Sequence, residues 1–125
     1  MFFGKSTVVA AIAALTFATA APSLEKKAQN SGTATYYAAG LGACGWTNSG
    51  SDYVVAVNSA QYDGSKCGSK LWVWNPATST IAFPTVADEC PSCNSGDLDM
   101  SEGLFGHLTN NNFDLGVFEM QWGYL

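Results

Sequence analysis

The segment Gly96-Asp97-Leu98-Asp99-Met100-Ser101 sets two carboxylates two positions apart. On a strand, alternate side chains share a face, so Leu98 and Met100 are expected to enter a core while Asp97 and Asp99 point together to the other side. Like charges on one face repel, which raises one of the two pKa values. A carboxyl that keeps its proton beside a cleft is a general-acid candidate. The plainer alternative is a pair of solvated aspartates near a helix start, where negative charge is favourable in any case.

Asp88 and Glu89 precede Cys90-Pro91-Ser92-Cys93. A CxxC pair inside a cell suggests redox or zinc chemistry. The chain has no second CxxC and its only histidine is His107, so a local structural disulfide is the expectation. No metal or cofactor is expected. His107 falls on a short helical stretch with no serine or cysteine nucleophile motif beside it, which favours a surface or partly buried histidine over a catalytic base. The aromatic residues Tyr36, Tyr37, Trp46, Trp72 and Trp74 lie on strands or near turns. Flat rings stack on the C–H faces of sugars, and they also fill cores. Trp72 and Trp74 share a strand face and could do either. Trp46, in a glycine-rich loop, is the better ligand contact.

These residues need a scaffold, and strand signals recur along the chain. Thr33–Tyr37, Tyr53–Val57, Leu71–Trp74, Thr80–Ala87, Leu98–Met100 and Val117–Trp122 are rich in β-formers, with turn chemistry between them. Pro84 restricts the fourth to an edge or a bulge. In the last, Phe118, Met120 and Trp122 fall on one face and Val117, Glu119 and Gln121 on the other. Six short strands argue for a closed barrel or a sandwich. A two-turn helix is expected after a Ser101 cap, with Leu104, Phe105 and Leu108 at helical spacing and Asn110-Asn111-Asn112 ending it. A turn near Ser59–Tyr62 is a second helical candidate.

The N-terminus reads differently. Lys5, an apolar run from Val8 to Phe17 broken only by Thr16, and Ala18-Thr19-Ala20 form a secretory signal peptide spanning 1–20. Residues 21–30 are a flexible segment, and a cut after Lys26-Lys27 would make it a propeptide. The folded domain is 31–125. Four cysteines, Cys44, Cys67, Cys90 and Cys93, imply two disulfides in a secreted chain, with three pairings open. Ten Asp and Glu face five lysines, of which Lys5 leaves with the leader, and there is no arginine. That balance excludes a nucleic-acid binder and disfavours an anionic membrane surface. Few charges with many hydroxyl, amide and aromatic side chains suit a neutral, hydroxyl-rich ligand.

Five segments then occur in a telling order: Gly32-Thr33-Ala34-Thr35-Tyr36-Tyr37, Gly42-Ala43-Cys44-Gly45-Trp46, Val86-Ala87-Asp88-Glu89-Cys90-Pro91, Leu98-Asp99-Met100-Ser101 and Met120-Gln121-Trp122. Together they resemble the double-psi β-barrel of expansins and of the related rare-lipoprotein-A-like, barwin-like and glycoside hydrolase family 45 proteins. The resemblance covers essentially all of 31–125. It implies an all-β, six-stranded double-psi β-barrel with one or two short helices and an open groove. Thr35, Asp88 and Asp99 match the groove positions, with Tyr37 and Trp46 as stacking candidates. Asp99 corresponds to the acid that the hydrolases use to protonate the leaving oxygen. Cys44 and Cys67 fall where expansins form a bridge. The cysteine that would partner Cys90 is Lys70 here, which leaves Cys93 for Cys90.

One departure bears on activity. An inverting glycosidase needs a second carboxylate, about 6.5–9.5 Å from the acid, to activate water. In the hydrolases it follows the T-x-Y segment, where this chain has Ala38-Ala39-Gly40-Leu41. The resemblance therefore implies a secreted, extracellular monomer that binds or loosens cell-wall polysaccharide (β-glucan, cellulose or chitin) without efficient hydrolysis. With the chain ending after the barrel, the layout is most similar to single-domain, loosenin-like fungal proteins. The alternatives are an endoglucanase or lytic transglycosylase, and a barwin-like cysteine-protease inhibitor or effector.

Overall fold

The computed structural model describes residues 29–125. The expected signal peptide and the Lys26-Lys27 site lie outside the described residues. Seven strands form: β1 (Asn30–Tyr37), β2 (Val54–Asn58), β3 (Leu71–Asn75), β4 (Thr80–Ala82), β5 (Thr85–Cys90), β6 (Leu98–Ser101) and β7 (Phe118–Tyr124). They make one sheet in the order β4-β3-β7-β1-β6-β2-β5. The pairs β1–β6 and β2–β5 are parallel, and the other four pairs are antiparallel.

The seventh strand arises at Pro84. A proline has no N–H for the ladder, so the expected Thr80–Ala87 strand breaks there into β4 and β5. The break is also where the sheet closes on itself. The Pro84 carbonyl accepts the Leu71 N–H at 2.9 Å, Ser69 O accepts Val86 N–H at 3.0 Å, and Val86 O accepts Gly68 N–H at 2.9 Å. The chain entering β3 thus pairs with the outer edge of β5 and joins the two ends of the sheet.

Alternation supplies the core. Leu71 and Val73, Leu98 and Met100, and Phe118, Met120 and Trp122 are buried at every second position of their strands. Burying large side chains of this kind contributes about 1.5–3 kcal/mol each. The helix α1 (Glu102–Thr109) closes one side with Leu104, Phe105 and Leu108. It stops where expected, because Asn110 and Asn111 adopt positive φ. Its start departs from expectation. Ser101 stands at the N-cap position, but its hydroxyl donates to Asp52 O and accepts from Val54 N instead of capping. It therefore ties the turn before β2 to the end of β6. The Ser59–Tyr62 stretch is a turn folded on the Asn58 carbonyl, and the short 3-10 helices fall at Gly64–Lys66 and Phe113–Leu115.

Candidate functional site

Three of the expected residues meet in one row. Thr35 of β1 is in register with Asp99 of β6, Asp99 with Ala56 of β2, and Ala56 with Asp88 of β5. Register partners share a face, so the row runs Thr35–Asp99–Ala56–Asp88 across the outside of the sheet. Strands lie about 4.8 Å apart, which puts the backbones of Asp99 and Asp88 roughly 10 Å from each other. Ala56, between the two acids, carries only a methyl group and is itself buried.

Asp88 reaches this face through a bulge. Val86 pairs with Val55 and enters the core, yet the next residue of β2, Ala56, pairs with Asp88. Ala87 is extra. Were Ala87 an ordinary ladder residue opposite Ala56, strict alternation would turn Asp88 the same way as Val86, inward.

Hydrogen bonds and burial give each group a different state. The Thr35 hydroxyl donates to Asp99 Oδ1 at 2.9 Å. Burial raises the Asp99 pKa above the ordinary carboxylate value and the charge of Asp88 adds to the rise, against the lowering effect of the Thr35 hydroxyl and the Met100 N–H. Tyr37, one step along the same face of β1, has its pKa pushed up to about 12 by burial and by the charges of Asp88 and Asp99. Its hydroxyl is a neutral donor at any physiological pH. A weak acid and a neutral phenol therefore share one small, half-buried space.

The second aspartate holds a loop. Asp88 Oδ1 accepts from Ala43 N at 2.7 Å and from Glu89 N at 2.8 Å. Cys44 N donates to Ala87 O at 3.2 Å. Gly42 lies so close that a Cβ there would stand 2.3 Å from Ala87 O and 3.1 Å from the Asp88 side chain, so only glycine fits. The Cys44–Cys67 disulfide fastens the same loop to the chain before β3. Trp46 rides on this loop, 38% exposed, with its ring edge 3.9 Å from where a Cβ on Gly68 would be. Cys90 and Cys93 form the second, local disulfide.

Other candidates fall elsewhere. Asp97 does not share the face of Asp99. It lies just before β6, where its Oδ1 accepts from Thr33 N at 2.9 Å and its Oδ2 from Asn94 N at 3.3 Å. The pairing of β6 with β1 begins only at Leu98, so the alternation that would align Asp97 with Asp99 has not started. Tyr36 faces the core, its ring 4.6 Å from Phe105. Trp72 and Trp74 are half-buried on the outer face, since Leu71 and Val73 take the inner positions. His107 is exposed, with Nε2 3.3 Å from Ile81 O and its ring 5.4 Å from Tyr53, away from the acid row. Among the described residues, no group of three or more His, Cys, Asp or Glu is placed to hold a metal ion. Residue reading alone missed Gly42, Ala43 and Ala56. The Gly-Ala-Cys-Gly run was the available signal for the first two, whereas Ala56 becomes visible only through register.

No family model matches the chain. The allergen Asp f 7 of Aspergillus fumigatus is 36% identical over 99 residues, which are 73% of this chain and 35% of the allergen. The chain thus spans about a third of that curated relative. Among solved structures, the Streptomyces papain inhibitor superposes with a TM-score of 0.68 at 27% identity, over 78% of this chain and 94% of the inhibitor. The expansin of Clavibacter michiganensis superposes with a TM-score of 0.66 at 30% identity, over 78% of this chain and 50% of the expansin. A variant of that expansin, in complex with cellohexaose, superposes with a TM-score of 0.66 at 28% identity. Cerato-platanin 3 of M. perniciosa, 15% identical with a TM-score of 0.58, shares the fold.

Proposed function

We propose that this chain, which belongs to the expansin-like double-psi β-barrel family, is a secreted protein that binds cell-wall polysaccharide across the acid row and loosens it without efficient hydrolysis. The observation that carries the reading is the row itself: one half-buried carboxyl of raised pKa, a neutral Tyr37 beside it, and no carboxylate on 38–41. The Asp99 carboxyl shares a hydrogen bond with a sugar hydroxyl, and Tyr37 donates another. Trp46 offers a ring for the C–H face of the sugar. Such contacts compete with the hydrogen bonds between neighbouring polymer chains, and no covalent bond breaks. Hydrolysis would need a second carboxylate free to activate water. Asp88 is the one acid in reach, and two backbone amides turn its Oδ1 toward the loop. The cellohexaose complex of the Clavibacter expansin variant supports a β-glucan as the first polymer to test.

The test is a pull-down of the chain without residues 1–20 on cellulose, chitin and β-glucan, with sugars assayed in the supernatant. Binding with no release is the expected result, with retention cut about tenfold in Asp99→Asn, the worth of a hydrogen bond to a buried group. Failure to bind any of the polymers sinks the proposal. Sugar release that vanishes in Asp99→Asn would instead make the chain a hydrolase or transglycosylase. A second reading, cysteine-protease inhibition, draws on the Streptomyces inhibitor, nearly all of whose length superposes on this chain. Papain inhibition without polysaccharide binding would favour it.

A further inference from the structure

A cleft of about 350 Å³ opens on the outer face at the other end of β1, lined by Ser31, Thr33, Pro76, Glu119 and Gln121 together with the backbone around them. None of these residues belongs to the acid row. The volume lies in the range of small-molecule sites. Two carry hydroxyls, one an amide and one a carboxylate, and among the described residues no cation lines the cleft. Phosphates and acidic chains are therefore poor occupants, and a neutral polyhydroxylated one is well matched. An aromatic ring stands next to the cleft: Trp74 is in register with Gln121, and Gln121 with Ser31, so all three side chains rise from the same outer face. Pro76 continues from the end of β3 as a second apolar surface.

The cleft and the acid row share a floor. Ser31, Thr33, Thr35 and Tyr37 occupy alternate positions of β1, while Ala34 between them is fully buried. Steps of about 6.7 Å carry this line of hydroxyls some 13 Å from Ser31 to Thr35, the length of a short oligosaccharide. Nothing in the register interrupts it, since Thr33 faces Glu119 on β7 before Thr35 faces Asp99 on β6.

The geometry points to a second saccharide subsite in this cleft, with Trp74 as its stacking ring and Gln121, Glu119 and Ser31 as hydroxyl partners, so that one glycan chain lies along β1 from Trp74 to Tyr37. The inference rests on the glycan-binding reading above and adds to it a requirement for chain length. A ligand too short to span β1 gains from one end only.

Calorimetric titration of the chain without residues 1–20 with cellotriose and cellohexaose, and with the chito-oligosaccharides of the same lengths, tests this. The hexaose is expected to bind at least about tenfold tighter than the triose in one series. Trp74→Leu and Glu119→Ala should each cut that ratio about three- to tenfold, the worth of one aromatic or hydrogen-bonded contact. Glu119 is exposed, so its loss tests the cleft even where the tryptophan variant folds poorly. Asp99→Asn should weaken both lengths and leave the ratio standing. A wild-type ratio near one, or a ratio undiminished in both cleft variants, overturns the subsite while leaving the acid row intact. No binding of either length in either series overturns the glycan reading and the subsite together.

Discussion

Two regions two residues apart use the same side chain to opposite ends. At the turn before β6, every polar atom of Gly96 and Asp97 is occupied from within. Asp97 takes Thr33 N and Asn94 N, its carbonyl takes the Asn58 amide at 3.0 Å, and Gly96 O takes the buried Trp122 indole N–H at 2.9 Å. Gly32 sits so close that a Cβ would stand 2.1 Å from Gly96 O. On the acid row the bonding is incomplete. Asp99 has one side-chain donor, and Asp88 takes both of its amides on a single oxygen. Saturated acids hold a fold together, whereas acids with free lone pairs facing solvent are available to a ligand.

Substitutions can break that contrast in order of size. Asp97→Ala strands the Thr33 N–H and should cost about 2 kcal/mol, a fall in Tm of roughly 8–16 °C for a domain this small, while the folded fraction binds glycan as before. Calorimetric melting alongside a pull-down would check both halves, and a large binding loss at unchanged Tm would dissolve the distinction. The two disulfides differ by less. Removing Cys44–Cys67, which spans 23 residues, should cost about 3 kcal/mol on the chain-entropy account, against about 2 for the three-residue Cys90–Cys93 span. Only the first holds the Trp46 loop. A Cys44→Ala/Cys67→Ala pair should therefore lose glycan affinity at temperatures where it is still folded, and the Cys90→Ala/Cys93→Ala pair should keep it.

The smallest effect reverses sign. Burial raises the Asp99 pKa, so the folded chain holds this proton to higher pH than the unfolded chain does. Its contribution is favourable below the unfolded value of 3.8 and is lost as pH rises through the folded one. Asp99→Asn keeps an oxygen for Thr35 and removes the charge. It should raise Tm by a few degrees at pH 7, with the gain disappearing below pH 3.8. Parallel melting curves at the two pH values measure it, and a Tm lowered at pH 7 would contradict the burial argument.

Much of this was legible in the chain itself. Alternation in 118–122 put Phe118, Met120 and Trp122 inside, and the three asparagines stopped α1 where the left-handed backbone begins. Order among motifs, more than any one of them, pointed to Thr35, Asp88 and Asp99 as neighbours. What stayed hidden depends on pairing between distant strands. Thr35 and Asp99 are 64 positions apart, and only the parallel β1–β6 register joins them. The outward phase of Glu119 and Gln121 was plain, but the cleft they line requires β1 and β3 on either side. Asp97 misled because alternation was extended one residue past the point where pairing starts.

The bulge at Ala87 has a consequence for how such a protein changes over time. The methyl group of Ala87 is buried, so larger side chains would be strained there. Its presence in the chain matters as well as its size. Deleting Ala87 would remove the bulge and the carbonyl that holds Cys44 N, while Asp88, then next to the inward Val86, would still alternate to the outer face opposite Ala56. A single-codon deletion there would thus loosen the loop that carries Trp46 and spare the direction of Asp88, so the loop and the row can be lost separately.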